Sequence, residues 1–452
     1  MTTTQRHAAW SGLRYGALGL PLAFVALPLY VYMPAYYAEQ FGASLAALGS
    51  VLLLVRIFDA VTDPLMGYVA DRLLTLSSSR RMLAMGLGCV VLLLGFLGLF
   101  FPPPSVREGV PLLVWCAAML VVAYLAYSAL SITHQAWAAR LQGGDLSQSR
   151  WVSWREAATL VGVVMASVLP SVAGMPVTTV ALALALVLAW LALRGAPHPL
   201  PHTVQAHAGA TASSAKGSAI VTVASASGSP SGTTEGLTWS RIAQPWCGAA
   251  FRGLLGVFLL NGIASAIPAT LLLFFVNDRL QAPGYEGLFL ATYFVCAALS
   301  LPLWLKVVAR FGLGLSWMLG MVLSVLAFAG AALLGPGDIG PFVLICAASG
   351  LALGADLAFP TPLLARVIRQ EGASQGLEGA YFGWWNSASK LNLALAAGLV
   401  LPLLQWLGYS PGQQNPQGLF ALGLAYAVVP CILKLLAWAA LWRWRRQWDK
   451  EL

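Results

Sequence analysis

The chain has 452 residues, of which 59% are apolar and 9% charged, and it carries a formal charge of +9. Soluble domains hold about a quarter of their residues as charged side chains, so this composition excludes one. The basic excess is scattered between long apolar runs rather than gathered in a solvated patch, which excludes a nucleic-acid partner.

A helix crosses the hydrocarbon layer in about 20 residues. Apolar stretches near that length predict twelve helices, at 12–38, 45–70, 82–101, 110–139, 152–172, 175–193, 250–276, 286–308, 313–334, 341–364, 377–406 and 417–442. The first is read as an uncleaved span, because its apolar run is longer than a signal peptide's and no small-residue cleavage site follows. Short alternating segments of the barrel type are missing. The expected fold class is therefore an all-α membrane protein with two bundles of six helices. The expected domains are residues 1–194 and 246–452, joined by a flexible linker at 195–245 that is rich in Ala, Ser, Gly and Thr and has no amphipathic period.

Arginines and lysines near the span ends collect on one side. Among them are Arg72, Arg80, Arg81, Arg140, Arg194, Arg366 and the tail after Trp442, against little more than Arg107 and Arg279 on the other side. This bias predicts a multi-pass protein with both termini and the linker cytoplasmic. The six cysteines lie singly, with no C-x-x-C and no Cys/His cluster of metal spacing. No catalytic or nucleotide-binding motif appears, so neither an enzyme nor a cofactor is expected.

Charged residues inside a span cost ~2.5–3.5 kcal/mol each on insertion scales, so they mark partners or tasks. The second segment holds RIFDAVTDP, with Asp59 about 21 Å along it, near mid-membrane. Asp59 and Asp63 stand at i and i+4, on one face. Two such carboxylates share a proton, bind a cation or face a basic residue, of which Arg56 is one candidate. In the fourth segment Tyr124, Ser128, Ser131 and Gln135 line up at helical intervals beside Tyr127 and His134. In the eleventh, Tyr381, Trp385 and Ser389 share a face next to Asn386 and Lys390. These are the candidate solute-binding groups, with Asp356 an unexpected acid in GLALGADLAFP. Arg155 and Glu156, adjacent in sequence, are expected to point apart and not to pair.

The Pro64-Leu65…Arg72 spacing recurs as Pro302-Leu303…Arg310, a faint repeat between the halves. With these features the chain resembles the major facilitator superfamily. The stretches YGALGLPLAF, RIFDAVTDPLMGYVADR and NSASK are similar to the glycoside–pentoside–hexuronide:cation symporters, among which are the melibiose permeases. The resemblance implies a cation site at Asp59 and Asp63, with Thr62 between them. Ser131 falls where the family places an acid in the fourth segment, and Ala23 where a sugar-gripping acid stands in the first. It further implies solute-binding roles for Arg155 and Lys390, and a cytoplasmic latch at Gly67, Asp71 and Arg72.

The expected function is a secondary active transporter that couples a small organic solute to H⁺ or Na⁺ by alternating access. The proton is favoured because Ser131 replaces an acid ligand. A lipid or lysolipid carrier and a proton-driven exporter are the alternatives within transport, and a non-transporting sensor would have no need of two mid-membrane carboxylates. Partners are the solute and membrane lipids, with a monomer in a bacterial inner membrane. Lys390 has two acids to pair with, the Asp59–Asp63 couple or Asp356, and the couple is the expected partner.

Overall fold

The computed structural model describes residues 3–141, 143–198, 239–371, 376–410, 412 and 415–448. The middle of the expected linker, 199–238, lies outside these. All regular structure among the described residues is helical. Nine stretches of it are each long and apolar enough to cross a membrane.

Helix α1 is built in pieces, Thr3–Gly16, Gly19–Leu27 and Met33–Phe41, with a π-helical turn at Pro28–Tyr32. The single span expected at 12–38 is thus broken, because Pro21, Pro28 and Pro34 each remove a backbone donor from the ladder. Next come α2 (Leu45–Thr75), α3 (Ser78–Phe100) and α4 (Gly109–Ala139). Residues Asp145–Arg194 form α5 and α6, divided at Gly174 with φ +75°. The chain reverses there. Gly16 meets the Trp154 backbone and Gly195 meets Arg14, contacts that 41 residues of straight helix, some 60 Å, would forbid.

After a short helix Trp239–Ala243 comes α7 (Ala249–Phe274), ending in a π turn at Phe275–Arg279. Glu286–Ala331 contains α8 and α9, divided at Gly312 with φ +74°. Only glycine adopts such an angle without strain, and it lets Gly320 lie beside Trp304. Helix α10 breaks before Pro360 into Ile339–Ala358 and Pro360–Gln370; α11 is Glu378–Trp406, and α12 runs from Pro416 to Trp448 through a π turn at Leu424–Val428. Counted in this way, the described residues form twelve long helices in two sets of six.

Part of the expected linker is ordered as helix. Residues 239–247 are helical, because Ile242 is buried and its carbonyl accepts the Trp384 indole N–H at 2.8 Å. The main hydrophobic core runs through the N-terminal half and into the linker end of the C-terminal half. The far end of the C-terminal half has a core of its own, made of α7 to α12 residues such as Phe275, Phe289, Phe342 and Tyr426. The halves are therefore fused by packing at the linker end.

Candidate functional site

Helix α2 brings Asp59 and Asp63 to the interface with α11, and Lys390 enters from α11. Its Nζ lies 2.7 Å from Asp59 Oδ1 and 2.7 Å from Asp63 Oδ1. Ser128 of α4 completes the group, accepting from Lys390 Nζ at 2.9 Å and donating to Asp59 Oδ1 at 3.1 Å. Two carboxylates and one ammonium sum to one unbalanced negative charge. Both acids are buried, and Oδ2 of each has no hydrogen-bond partner among the described residues. A buried charge without a partner is costly, so this group has chemical room for one more cation or proton.

Two expected members of the cation set are placed differently. Thr62 is buried beside the acids, but its hydroxyl donates to the Asp59 carbonyl at 3.1 Å. Ser131 lies three residues beyond Ser128, turned by about 60° and carried some 4.5 Å along α4. It accepts from Gln135 Nε2 at 3.0 Å instead of meeting the acids. The family alignment chose Ser131; the helical register puts Ser128 at the acids.

Beside this group, between the halves, is a cavity of about 610 Å³. The N-terminal half contributes Ala23, Arg56, Tyr127, Ser131, His134, Gln135, Arg155 and Glu156 to its wall, and the C-terminal half Phe258, Asp356, Trp385 and Asn386. Gln135 and Asn386 join across the cleft at 3.2 Å, and Trp385 stacks on Phe258 with centroids 3.9 Å apart. The His134 ring donates from Nε2 to the Tyr15 carbonyl at 2.9 Å, since a carbonyl only accepts, and Tyr15 OH returns a bond to the His134 carbonyl at 2.8 Å. Lys390, expected on the solute wall, is turned onto the acids.

Arg155 and Glu156 do pair, contrary to expectation. Arg155 donates from Nε at 3.0 Å and Nη2 at 2.5 Å to Glu156 Oε1. Adjacent helical Cβ atoms diverge by about 100°, but the long arginine stem curls back, and two buried charges on one wall gain from meeting. Asp356 is also engaged within its own half. Lys434 of α12 donates to its Oδ2 at 2.6 Å, while Asn261 and Trp317 donate to Oδ1 at 3.0 and 2.9 Å.

The sequence pattern of the family described as MFS/sugar transport protein matches residues 14–445. The chain belongs to this family. The Escherichia coli (strain K12) protein YagG, named as a glycoside/cation symporter, is 25% identical over 126 residues. That match spans 26% of this chain and about a quarter, 25%, of YagG. Among solved structures, a bacterial homologue of the iron transporter ferroportin in an outward-facing state superposes with TM-score 0.64 at 16% identity, over 96% of this chain and 99% of that one. The E. coli fucose:proton symporter FucP gives 0.62 at 13%, over 95% and 98%. The proton:xylose symporter XylE bound to 6-bromo-6-deoxy-D-glucose gives 0.61 at 13%, over 96% and 94%. At these identities they share the major facilitator fold with this chain.

In this major facilitator chain the last turns of α2 close the linker end. Asp71 accepts from the Gly379 and Ala380 backbone N–H groups at 2.6 and 3.0 Å, so an acid of one half caps the first turn of α11 in the other. Gly67 lies against the Gly379 carbonyl, with no room for a side chain. Arg72 takes part differently, donating to Tyr68 OH at 2.8 Å. Sequence reasoning passed over Arg140, which reaches Glu378 at 2.8 Å and Asp71 at 3.5 Å. It also passed over Asp145, which Arg366 and Arg369 approach at 3.6 and 3.5 Å from the other half. The signal for both was charge at span ends: Arg140 was read only as topology, and Asp145 was not read at all.

Proposed function

We propose that the protein is a cation-coupled symporter of a neutral, polar, ring-bearing solute of the sugar or glycoside class. The observation that carries this reading is the unbalanced charge of Asp59, Asp63 and Lys390. Three charged groups from opposite halves leave one negative charge over, so the site in its resting arrangement calls for a cation before the halves can reorient. The coupling ion is a proton: the oxygen ligands number two carboxylates and Ser128, a sparse set for sodium, and the unpartnered Oδ2 atoms are ready acceptors. Solute binds in the neighbouring cavity. On its wall Arg155 is paired with Glu156 and Asp356 with Lys434, so these charges are already balanced, which favours a neutral ligand over an anion or a lone cation. Trp385 on Phe258 supplies an aromatic surface for the apolar face of a sugar ring. Tyr127, His134, Gln135 and Asn386 supply polar groups around it.

Uptake by purified protein in vesicles tests the reading. With a pH gradient imposed, neutral hexoses and glycosides should accumulate above their external concentration, whereas organic acids and lysolipids should not. Accumulation of lysolipid in place of sugars would overturn the solute class, and accumulation of none under any cation gradient would overturn symport.

A further inference from the structure

A second cavity, of about 360 Å³, lies away from the cleft at the linker end of the N-terminal half. Ser78, Ser79, Met82 and Leu83 of α3 line it, with Trp190 and Arg194 of α6 and His198 just beyond. None of these is an acid. The Trp190 indole donates to the Met82 carbonyl at 2.8 Å, fixing the two helices, and the Arg194 guanidinium lies 5.0 Å from the centre of the Trp190 rings. His198 Nε2 stands 3.3 Å from Ser78 Oγ. Burial and the nearby Arg81 guanidinium hold the His198 imidazole below its ordinary pKa. Arg81 itself is almost fully buried behind this wall, and its Nε has no hydrogen-bond partner among the described residues. Positive charge is concentrated here with no lining carboxylate to balance it.

The cavity continues into an apolar track. Along α3, Leu83, Leu87, Val90 and Leu94 are all exposed at i, i+4, i+7 and i+11, one face of the helix. Leu184, Leu188 and Leu191 are exposed on α6. The basic groups thus sit where two spans end, at the level of lipid headgroups, and the leucines run from there toward the bilayer centre. Basic pockets between spans bind anionic headgroups, and tryptophan favours that depth.

We propose that this cavity binds an anionic phospholipid of the linker-side leaflet. Arg194, Ser78 and Ser79 hold its phosphate, and its acyl chains lie along the Leu83–Leu94 face. A free phosphate would use the same basic groups but not the apolar track. A zwitterionic lipid would bring a cationic headgroup to a wall that has no acid to receive it.

Native mass spectrometry of the full chain, offered equal dioleoyl-phosphatidylglycerol and dioleoyl-phosphatidylcholine, tests this. Phosphatidylglycerol should be retained at least tenfold over phosphatidylcholine, and Arg194→Gln with Ser79→Ala should remove that preference. A second measurement needs no substitution at the phosphate-binding groups: dibrominated phosphatidylglycerol in nanodiscs should quench a component of the tryptophan emission that is missing in Trp190→Phe. Equal retention of the two lipids, unchanged preference in the double variant, or displacement of the lipid by millimolar inorganic phosphate would each overturn the proposal. Melting of the variants in lipid-free detergent separates lost binding from lost folding.

Discussion

Lys434 comes within 2.6 Å of Asp356 Oδ2, and this pairing leaves Lys390 to the acids of the other half. Asp356 has donors on both oxygens, from Lys434, Asn261 and Trp317. Asp59 and Asp63 have one oxygen each served and one idle. The two clusters differ in kind: the C-terminal one is saturated and holds four helices together, whereas the interfacial one is short of a cation.

Removal of Lys390 tests that division. Lys390→Ala strands two buried carboxylates, and breaking a buried pair from one side costs roughly 3–5 kcal/mol. The variant should melt well below the parent and lose uptake. Neutralising a second site, Asp59→Asn or Asp63→Asn, should recover much of the stability. Asp356→Ala should not, because it creates a second stranded charge at Lys434. Thermal unfolding of the single and double variants gives the answer, and recovery by Asp356→Ala alone would assign Lys390 to the wrong partner.

Charge counting makes a separate prediction for the single acid variants. In Asp63→Asn the remaining Asp59 and Lys390 balance, so the site no longer calls for a cation. Asp59→Asn does the same with Asp63. Each variant should lose concentrative uptake while keeping solute exchange between preloaded vesicles and medium, since the solute wall is untouched. Full accumulation by both variants would rule out a coupling role.

The identity of the ion follows from the ligand set. Uptake by the parent protein should follow an imposed pH gradient, acid outside, and persist when choline replaces all sodium. The proton is then a co-substrate, so the initial rate should fall as the external pH is raised. Strict dependence on sodium at fixed pH would exclude the proton.

What the sequence disclosed depends on how local the signal was. The twelve spans and the Asp59–Asp63 pair were legible because hydropathy and i, i+4 spacing act within one helix. Ser128 was confused with Ser131 because a three-residue step along α4 keeps both near one face, and only the packing of α2 on α4 decides between them. Arg140 was illegible as a site residue because it sits at a span end, where a basic residue also serves topology. Lys434 stands inside an apolar run of α12, a signal that charge within a span should have given. The partners of the two lie 238 and 78 residues away. The helical segment at residues 239–247 was hidden by the low-complexity stretch before it.

At Gly67, α2 and α11 touch backbone to backbone. A Cβ at Gly67 would stand 2.2 Å from the Gly379 carbonyl oxygen, and one at Gly383 would stand 2.7 Å from the Asp63 carbonyl oxygen. No rotamer change relieves a clash with backbone, so a side chain at Gly67 forces the halves apart at the linker end. In a state open there, alanine is the better helix residue by ~0.8–1.0 kcal/mol. Gly67→Ala therefore penalises one conformation and favours the other, which predicts a shift in population rather than loss of the fold. A penalty of about 1.4 kcal/mol changes the ratio tenfold. Thiol labelling of Thr361→Cys, a cavity-lining position, should rise from the linker side at least that much in Gly67→Ala and further in Gly67→Val. Gly256→Ala is the matched control, because nothing lies within 4 Å of its added carbon. Equal labelling in all three backgrounds would show that the glycine contact does not hold the linker end shut.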